Sequence, residues 1–320
     1  MGTLRSGQSE RVMTGSATMT TTEFDALFDE VSNWSRWDEE SPRGTLNHLT
    51  PERIVAAARL VRSGVTVSLG LPLDTERRPD NPTPAQHRMT QLSDHDSGNV
   101  QFVKDFVGVD FHNDGLSHLD ALCHVSFRGN LYGGAPDTSA NADGATIGDV
   151  ETVRDGIVGR GVLLDVPRVR GTPWVDPGDE VGPDELIAAE HDEGVQIGPG
   201  DVLLVRTGHN RRLDELGPWD TTHQKAGLHP SVAELLTERR VAVLGSDTNA
   251  DTAPSRTEGV AYPMHVLAVN AMGLHLLDYL QLDPLAATCE HLSRWEFLCV
   301  VAPLRIPGGT GSPVNPIAVF

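Results

Sequence analysis

His118-Leu119-Asp120-Ala121-Leu122-Cys123-His124 is the stretch on which the reading of this chain turns. Two imidazoles and a carboxylate stand at intervals of two and four residues, and His112 lies just upstream. Three of the chain's thirteen histidines thus fall within thirteen positions. Along an extended segment, residues two apart face the same side. Positions 112, 114, 118, 120 and 124 share parity, and all are His or Asp. If the stretch is a strand, one face carries donor atoms suited to a divalent metal. Gly115 bends the path, so the alignment of 118, 120 and 124 is the firmer part.

The 320 residues suffice for a substantial buried core. Twenty-five basic against forty-five acidic side chains leave a formal charge of −20. Such a surface repels nucleic-acid phosphates and anionic lipid, so the expected partner is a small-molecule substrate, with no nucleic acid and no membrane. The three cysteines, Cys123, Cys289 and Cys299, form no C-x-x-C pair, which suits a reducing compartment. No apolar run of about eighteen residues and no apolar signal core is present, so a cytoplasmic protein is expected.

Residues 1–22, rich in Ser, Thr and Gly, are expected to be disordered, and 23–320 to form one domain. A helix is predicted over 23–37. Thr50-Pro51-Glu52 has the form of a helix start leading through Leu60 to Gly64, and Val65 to Leu71 alternates as a strand. Residues 74–98 read as a long polar loop, and 307–316 as a Gly/Pro loop. Apolar runs at 161–166, 201–206, 241–245 and 297–306 read as strands. Helices are expected at 183–191, 229–239 and 283–292, with a helix or a helix and strand over 265–280. Strands and helices mix without a strict βαβ period, which points to α/β or α+β in one domain.

Other motifs carry less. Asp247-Thr248-Asn249-Ala250-Asp251 opens like a calcium loop but lacks its Gly and distal Glu. Gly308-Gly309-Thr310-Gly311-Ser312 has no Lys and no following helix, so it is no phosphate loop. Cys123 has the wrong parity for the histidine face and reads as core packing. His87, His95, His191, His209, His223, His229, His275 and His291 show no partner pattern, although His209 follows a strand end.

At its histidine cluster the chain resembles the cyclase family of metal-dependent hydrolases, which includes kynurenine formamidase and isatin hydrolase. The family hallmark is H-x-G-T-H-x-D-x-P-x-H. Here Ser117 stands for Thr, Leu122 for Pro, and Asp114 for the first His. Phe111-His112 ahead of a four-residue gap is similar to a longer-chain branch, so either His112 or Asp114 takes the first histidine's role. Gly44-Thr45-Leu46-Asn47, the strands at 161–165 and 200–208, Gly245-Ser246-Asp247-Thr248, Pro263-Met264-His265 and the tail from Ala302 extend the likeness over 44–320.

The resemblance implies a swivelling β/β/α fold, that is, an α/β single domain with a mixed sheet flanked by helices. It implies one or two divalent ions, Zn or Mn, held by His118, Asp120, His124, His265 and Asp278, the last standing where Glu is usual. His112 or His124 would move the proton. The implied reaction is hydrolysis of a C–N bond in a cyclic or N-formyl amide by metal-activated water, with a lactone as rival substrate and a binding role without turnover as the alternative class. A homo-oligomer, dimer or tetramer, is also implied.

Overall fold

The computed structural model describes residues 18–37, 42–92 and 100–320. The strands of three residues or more, in chain order, are β1 (Thr66–Ser68), β2 (Gln86–Gln91), β3 (Lys104–Gly108), β4 (His118–Asp120), β5 (Ile157–Asp165), β6 (Val202–Arg206), β7 (Val243–Ser246), β8 (His275–Asp278), β9 (Glu296–Val301), β10 (Gly311–Pro313) and β11 (Ile317–Val319). The helices, apart from a short one at Val166–Arg170 and the 3-10 turns, are α1 (Thr21–Val31), α2 (Pro51–Ala58), α3 (Pro183–Glu193), α4 (His209–Leu216), α5 (Val232–Arg239), α6 (Pro263–His265, continued by a π-helical turn Val266–Met272) and α7 (Asp283–Leu292).

Nine strands form one sheet in the order β1-β11-β9-β5-β6-β7-β8-β4-β10. Strands β5 to β8 are neighbours in sequence and run parallel. They are joined by helical crossovers, so this middle part does follow a βαβ rhythm. Its strands are buried on both faces, and they read in the sequence as unbroken apolar runs. The flanks β9, β11, β1, β4 and β10 are antiparallel.

Alternation along each strand sorts the core into two halves. Val162, Leu164, Leu203, Val205, Leu244 and Leu276 pack towards α1, α3, α5 and α6. Leu163, Val202, Leu204, Val243, Leu277 and Phe297 pack on the other face. A mixed α/β sheet in a single domain, flanked by helices, is therefore the architecture. Among the described residues no helix is long and apolar enough to cross a membrane.

Several elements differ from the sequence reading. Helix α1 starts at Thr21, because Thr20 and Glu23 form a reciprocal capping box, and it stops at Val31 rather than 37. Met19 pairs with Thr257, so residues 18–22 are docked on the domain, while 1–17 lie outside the described residues. The expected loop 74–98 contains β2, which pairs with β3 as an exposed hairpin. With both faces in water, its sequence carries no apolar alternation to read. His95 lies outside the described residues. The Gly/Pro tail contains β10, where Pro313 is tolerated because the strand is at the sheet edge.

His275 opens β8 fully buried, and neither ring nitrogen has a hydrogen-bond partner. Burial pushes its pKa down to about 3. The folded protein therefore keeps it neutral, while the unfolded chain binds a proton below about 6.5. This term costs nothing above that pH and grows as pH falls towards the folded value, reaching about 2 kcal/mol at pH 5. His275→Leu is expected to raise the melting temperature, and to do so more at pH 5 than at pH 8. Equal gains at the two pH values would show that the histidine is not held neutral.

Candidate metal centre

Strand β4 runs antiparallel to β8, with His118 opposite Asp278 and Leu119 opposite Leu277. Leu119 and Leu277 point into one half of the core. Alternation then places His118, Asp120 and Asp278 together on the opposite face. This is the carboxyl end of the parallel strands, where open α/β sheets hold their ligands.

Strand β4 ends at Asp120, and His124 arrives by a turn in which its N–H donates to Ala121 O at 3.0 Å. The continuous extended segment read from parity is thus correct for 118 and 120 but not for 124. His265 comes from α6, and its ring faces the same point.

The distances are close and mutual. Asp120 Oδ1 lies 3.0 Å from His112 Nδ1 and 3.6 Å from His118 Nε2. Asp120 Oδ2 lies 3.5 Å from His265 Nε2 and 4.0 Å from His124 Nε2. Asp278 Oδ2 lies 3.8 Å from His118 Nε2 and 3.4 Å from His265 Nε2. Donors about 2.1 Å from a tetrahedral ion stand about 3.4 Å apart, so these separations suit metal ligation.

Hydrogen bonding supports the same assignment of lone pairs. Both oxygens of Asp120 and the Nδ1 of His112 are buried without a hydrogen-bond partner, although Asp120 is wholly inaccessible. A buried carboxylate that faces imidazoles without a hydrogen bond is costly unless a cation completes it. His118 Nδ1 contacts Leu116 O at 2.8 Å. A carbonyl only accepts, so Nδ1 carries the proton and Nε2 offers its lone pair. His265 Nδ1 likewise donates to Asp251 Oδ2 at 2.5 Å. Asp251 also accepts from the N–H groups of Met264 and His265, which locks the start of α6.

The electrostatics follow from this packing. Burial pushes the Asp120 carboxyl up, but the imidazoles of His124, His112, His118 and His265 hold it well below the usual carboxylate range. Burial takes His124 down to about 4, so it is neutral near pH 7. Its ring stacks on His112 with centroids 3.7 Å apart and planes 6° apart. Burial lowers the affinity of His265 for a proton, yet hydrogen bonds to Asp251 and Asp278 raise its pKa well above the usual value. A divalent ion would compete with that proton.

Two donor groups emerge, His112–Asp120–His124 and His118–Asp120–Asp278, and they share Asp120. His265 adjoins both carboxylates. The cluster therefore gathers His118, Asp120, His124, His265, Asp278 and His112. Asp114 lies elsewhere. It accepts from Tyr279 Oη at 2.6 Å and from Thr221 and Thr222 at 2.8 and 3.2 Å, with Lys225 Nζ 3.6 Å away. Burial raises its pKa, but Lys225 and these hydrogen bonds hold it below its usual value.

Position 112, not 114, thus supplies the imidazole in this cluster. His112 Nε2 is held by Thr310 Oγ1 at 2.9 Å. A Cβ on Gly311 would lie 2.3 Å from Leu119 O and 3.0 Å from His112 Cε1, so the glycine-rich tail serves close approach to this ring.

The chain as a whole can now be set beside known proteins. The family model described as "Putative cyclase" matches residues 67–251. A solved structure of a novel cyclase is 30% identical, with a TM-score of 0.83, over 92% of this chain and 99% of that one. The chain belongs to the cyclase family. Isatin hydrolase A from Ralstonia solanacearum shares the cyclase fold at 24% identity and a TM-score of 0.57, over 85% of this chain and 98% of that one. An isatin hydrolase bound to the product analogue thioisatinate does so at 20% identity and 0.56, over 85% and 99%. No curated protein matches.

Around this cyclase cluster lies a cavity of about 510 Å³, bounded by the histidines, by Lys225, Asn249 and Tyr279, and by the apolar side chains of Val260 and Val266. Sequence reading missed Asp251, Lys225, Tyr279 and Thr310. Asp251 was visible only as the end of an imperfect calcium loop. Its neighbour Asp247 instead accepts the N–H groups of Thr207, Gly208 and His209 and fixes the turn into α4.

His209 is buried against Trp219 and Tyr279, outside the cluster, and burial takes it to about 4. Cys123 is a buried core thiol pushed up to about 11, mainly by burial, which suits packing and not nucleophilic attack.

Tyr279 follows Asp278 directly, yet both line the cavity. Simple alternation would send them to opposite faces. Tyr279 has φ 53°, in the left-handed region, at a cost of about 1–3 kcal/mol.

Proposed function

We propose that the protein is a metal-dependent hydrolase that cleaves the C–N bond of a cyclic or N-formyl amide. The observation carrying this reading is the buried carboxylate of Asp120, without a hydrogen bond and ringed by four imidazoles at the carboxyl end of the sheet. The isatin hydrolases that share the fold support the substrate class. Zn or Mn suits the mixed nitrogen and oxygen donors.

A divalent ion bound there would act as a Lewis acid on the substrate carbonyl and make a nearby water a stronger acid. His118, Asp120, His265 and Asp278 would hold it, with His124 added in a two-ion version. Asp251 keeps the His265 proton on Nδ1, so Nε2 stays available to the ion. Leu116 O does the same for His118. His124, neutral near pH 7, or His112 accepts the proton of the attacking water and returns it to the leaving nitrogen. Thr310 orients His112 for that task.

Stepwise addition of Mn²⁺ or Zn²⁺ to chelator-stripped protein tests this. At a free concentration a hundred times Kd, stabilisation of about 2.7 kcal/mol is expected, seen as a melting temperature several degrees higher. Isatin-like rings and formyl-anilines should be hydrolysed only by the loaded protein. Undiminished turnover after complete metal removal would end the proposal.

A homo-oligomer is the proposed assembly. The β2–β3 hairpin leaves Met89, Phe102, Phe106 and Val107 between 40% and 65% exposed, as an apolar surface that a second copy would cover. Light scattering should give a multiple of 34.5 kDa, and the mass of a single chain would refute it.

A further inference from the structure

The cavity also holds a charged group that the reaction above does not use. Lys225 is 2% exposed and lines the cavity. Its Nζ donates to Tyr279 Oη at 2.8 Å, and the Tyr279 hydroxyl in turn donates its hydrogen bond to Asp114. The 3.6 Å from Nζ to Asp114 is too long for a hydrogen bond. Asp114 already takes three donors from Tyr279, Thr221 and Thr222. An ammonium has three N–H groups, and one of those on Lys225 is spent on Tyr279.

Asn249 lines the same cavity, is 8% exposed, and its Oδ1 has no partner, an acceptor suited to a ligand N–H and not to the oxyanion itself. A buried wall with unspent hydrogen-bonding capacity is costly unless a ligand completes it. The rest of the cavity is apolar at Val125, Phe127, Val260 and Val266, which suits a flat hydrocarbon body.

We propose that Lys225 anchors a carboxylate, or an equivalent oxyanion, carried by the substrate apart from its reacting carbonyl. This specificity role rests on the hydrolase reading of the same cavity. The Tyr279 ring lies beside His118, with centroids 6.3 Å apart, while its hydroxyl reaches Lys225. The Tyr279 side chain thus borders both the metal cluster and the anchor. The substrate class is an aromatic or similarly flat amide bearing an acidic substituent.

Benzoate and its neutral counterpart benzamide are the probes, titrated calorimetrically into full-length, metal-loaded protein. Benzoate is expected to bind the wild type more tightly than benzamide does. Lys225→Met should weaken benzoate by about tenfold or more and leave benzamide within about twofold. Lys225→Arg should recover most of the loss. Should Lys225→Met fail to fold, the charge-balanced pair Lys225→Met with Asp114→Asn, which keeps an acceptor for Tyr279, replaces it.

Benzoate affinity that is the same with and without the Lys225 charge overturns the anchor, as does wild-type protein that binds no benzoate. A repeat on chelated protein separates the two readings. Benzoate lost on chelation but indifferent to Lys225 sits on the ion, which overturns the anchor and leaves the metal centre standing. Failure to take up metal at all sinks the hydrolase reading instead.

Discussion

Replacing Asp120 with alanine is expected to lower turnover by about a thousandfold or more, together with loss of tight metal uptake. The magnitude follows from the position of the residue. Asp120 belongs to both donor groups, so its removal opens each of them at once. Lewis-acid chemistry supplies several kcal/mol of transition-state stabilisation, and each 1.36 kcal/mol is tenfold in rate.

Folding should survive the change. The imidazoles around Asp120 lose their ionic partner, but His118 keeps Leu116 O, His265 keeps Asp251, and His112 keeps Thr310. Metal content by elemental analysis, with a melting curve as the control for folding, gives the answer. Full activity in the folded variant would remove the shared carboxylate from the mechanism. Asp120→Asn, which keeps one oxygen donor without charge, should fall between the two.

Asp251→Ala is expected to damage the same centre without touching its donor set. The Asp251 carboxylate receives three N–H groups, two from the backbone at the start of α6 and one from the His265 ring. Loss of the last frees the imidazole to rotate or to change tautomer, which typically costs 10–100-fold in metal affinity. Loss of the other two leaves buried donors unsatisfied, at about 1–3 kcal/mol each. Weaker metal binding should therefore come with a lower melting temperature even in chelated protein. A variant that melts early but binds metal as tightly as the wild type would show that Asp251 only holds the helix. Asp251→Asn should keep more stability than affinity, since its amide oxygen can still accept while its charge is gone.

The central strands were plain in the sequence because burial on both faces demands unbroken apolar residues, as in Val202-Leu203-Leu204-Val205. Helix α3 was legible from Pro183, although it runs to Glu193, two residues past the expected 191, before Gly194 ends it in the left-handed region. The hairpin at Gln86–Gln91 was invisible, since no face of it is buried and nothing selects apolar side chains there.

The metal-type residues of the cluster were legible as clustered His and Asp, and through family likeness for His265 and Asp278. Strand parity accounted for His118 and Asp120 but not for His124, because the chain turns after Ala121 and a turn resets alternation. The groups that orient the donors, Asp251 and Thr310, could not be found from spacing. They reach the cluster from 14 residues before His265 and 198 residues after His112, through tertiary folding alone. Lys225 and Tyr279 were missed for the same reason, being 54 residues apart in the chain.

The left-handed backbone at Tyr279 ties two properties together. One peptide unit fixes where the Asp278 carboxylate points and where the tyrosine hydroxyl ends, so the two cannot drift independently. A substitution that relaxes this residue into ordinary strand geometry would swing the hydroxyl away from Lys225 and strain the neighbouring carboxylate in the same movement. New substrate preferences should therefore arise mainly at apolar lining residues such as Phe127 and Val260, where side chains can change size while the chemistry stays in place.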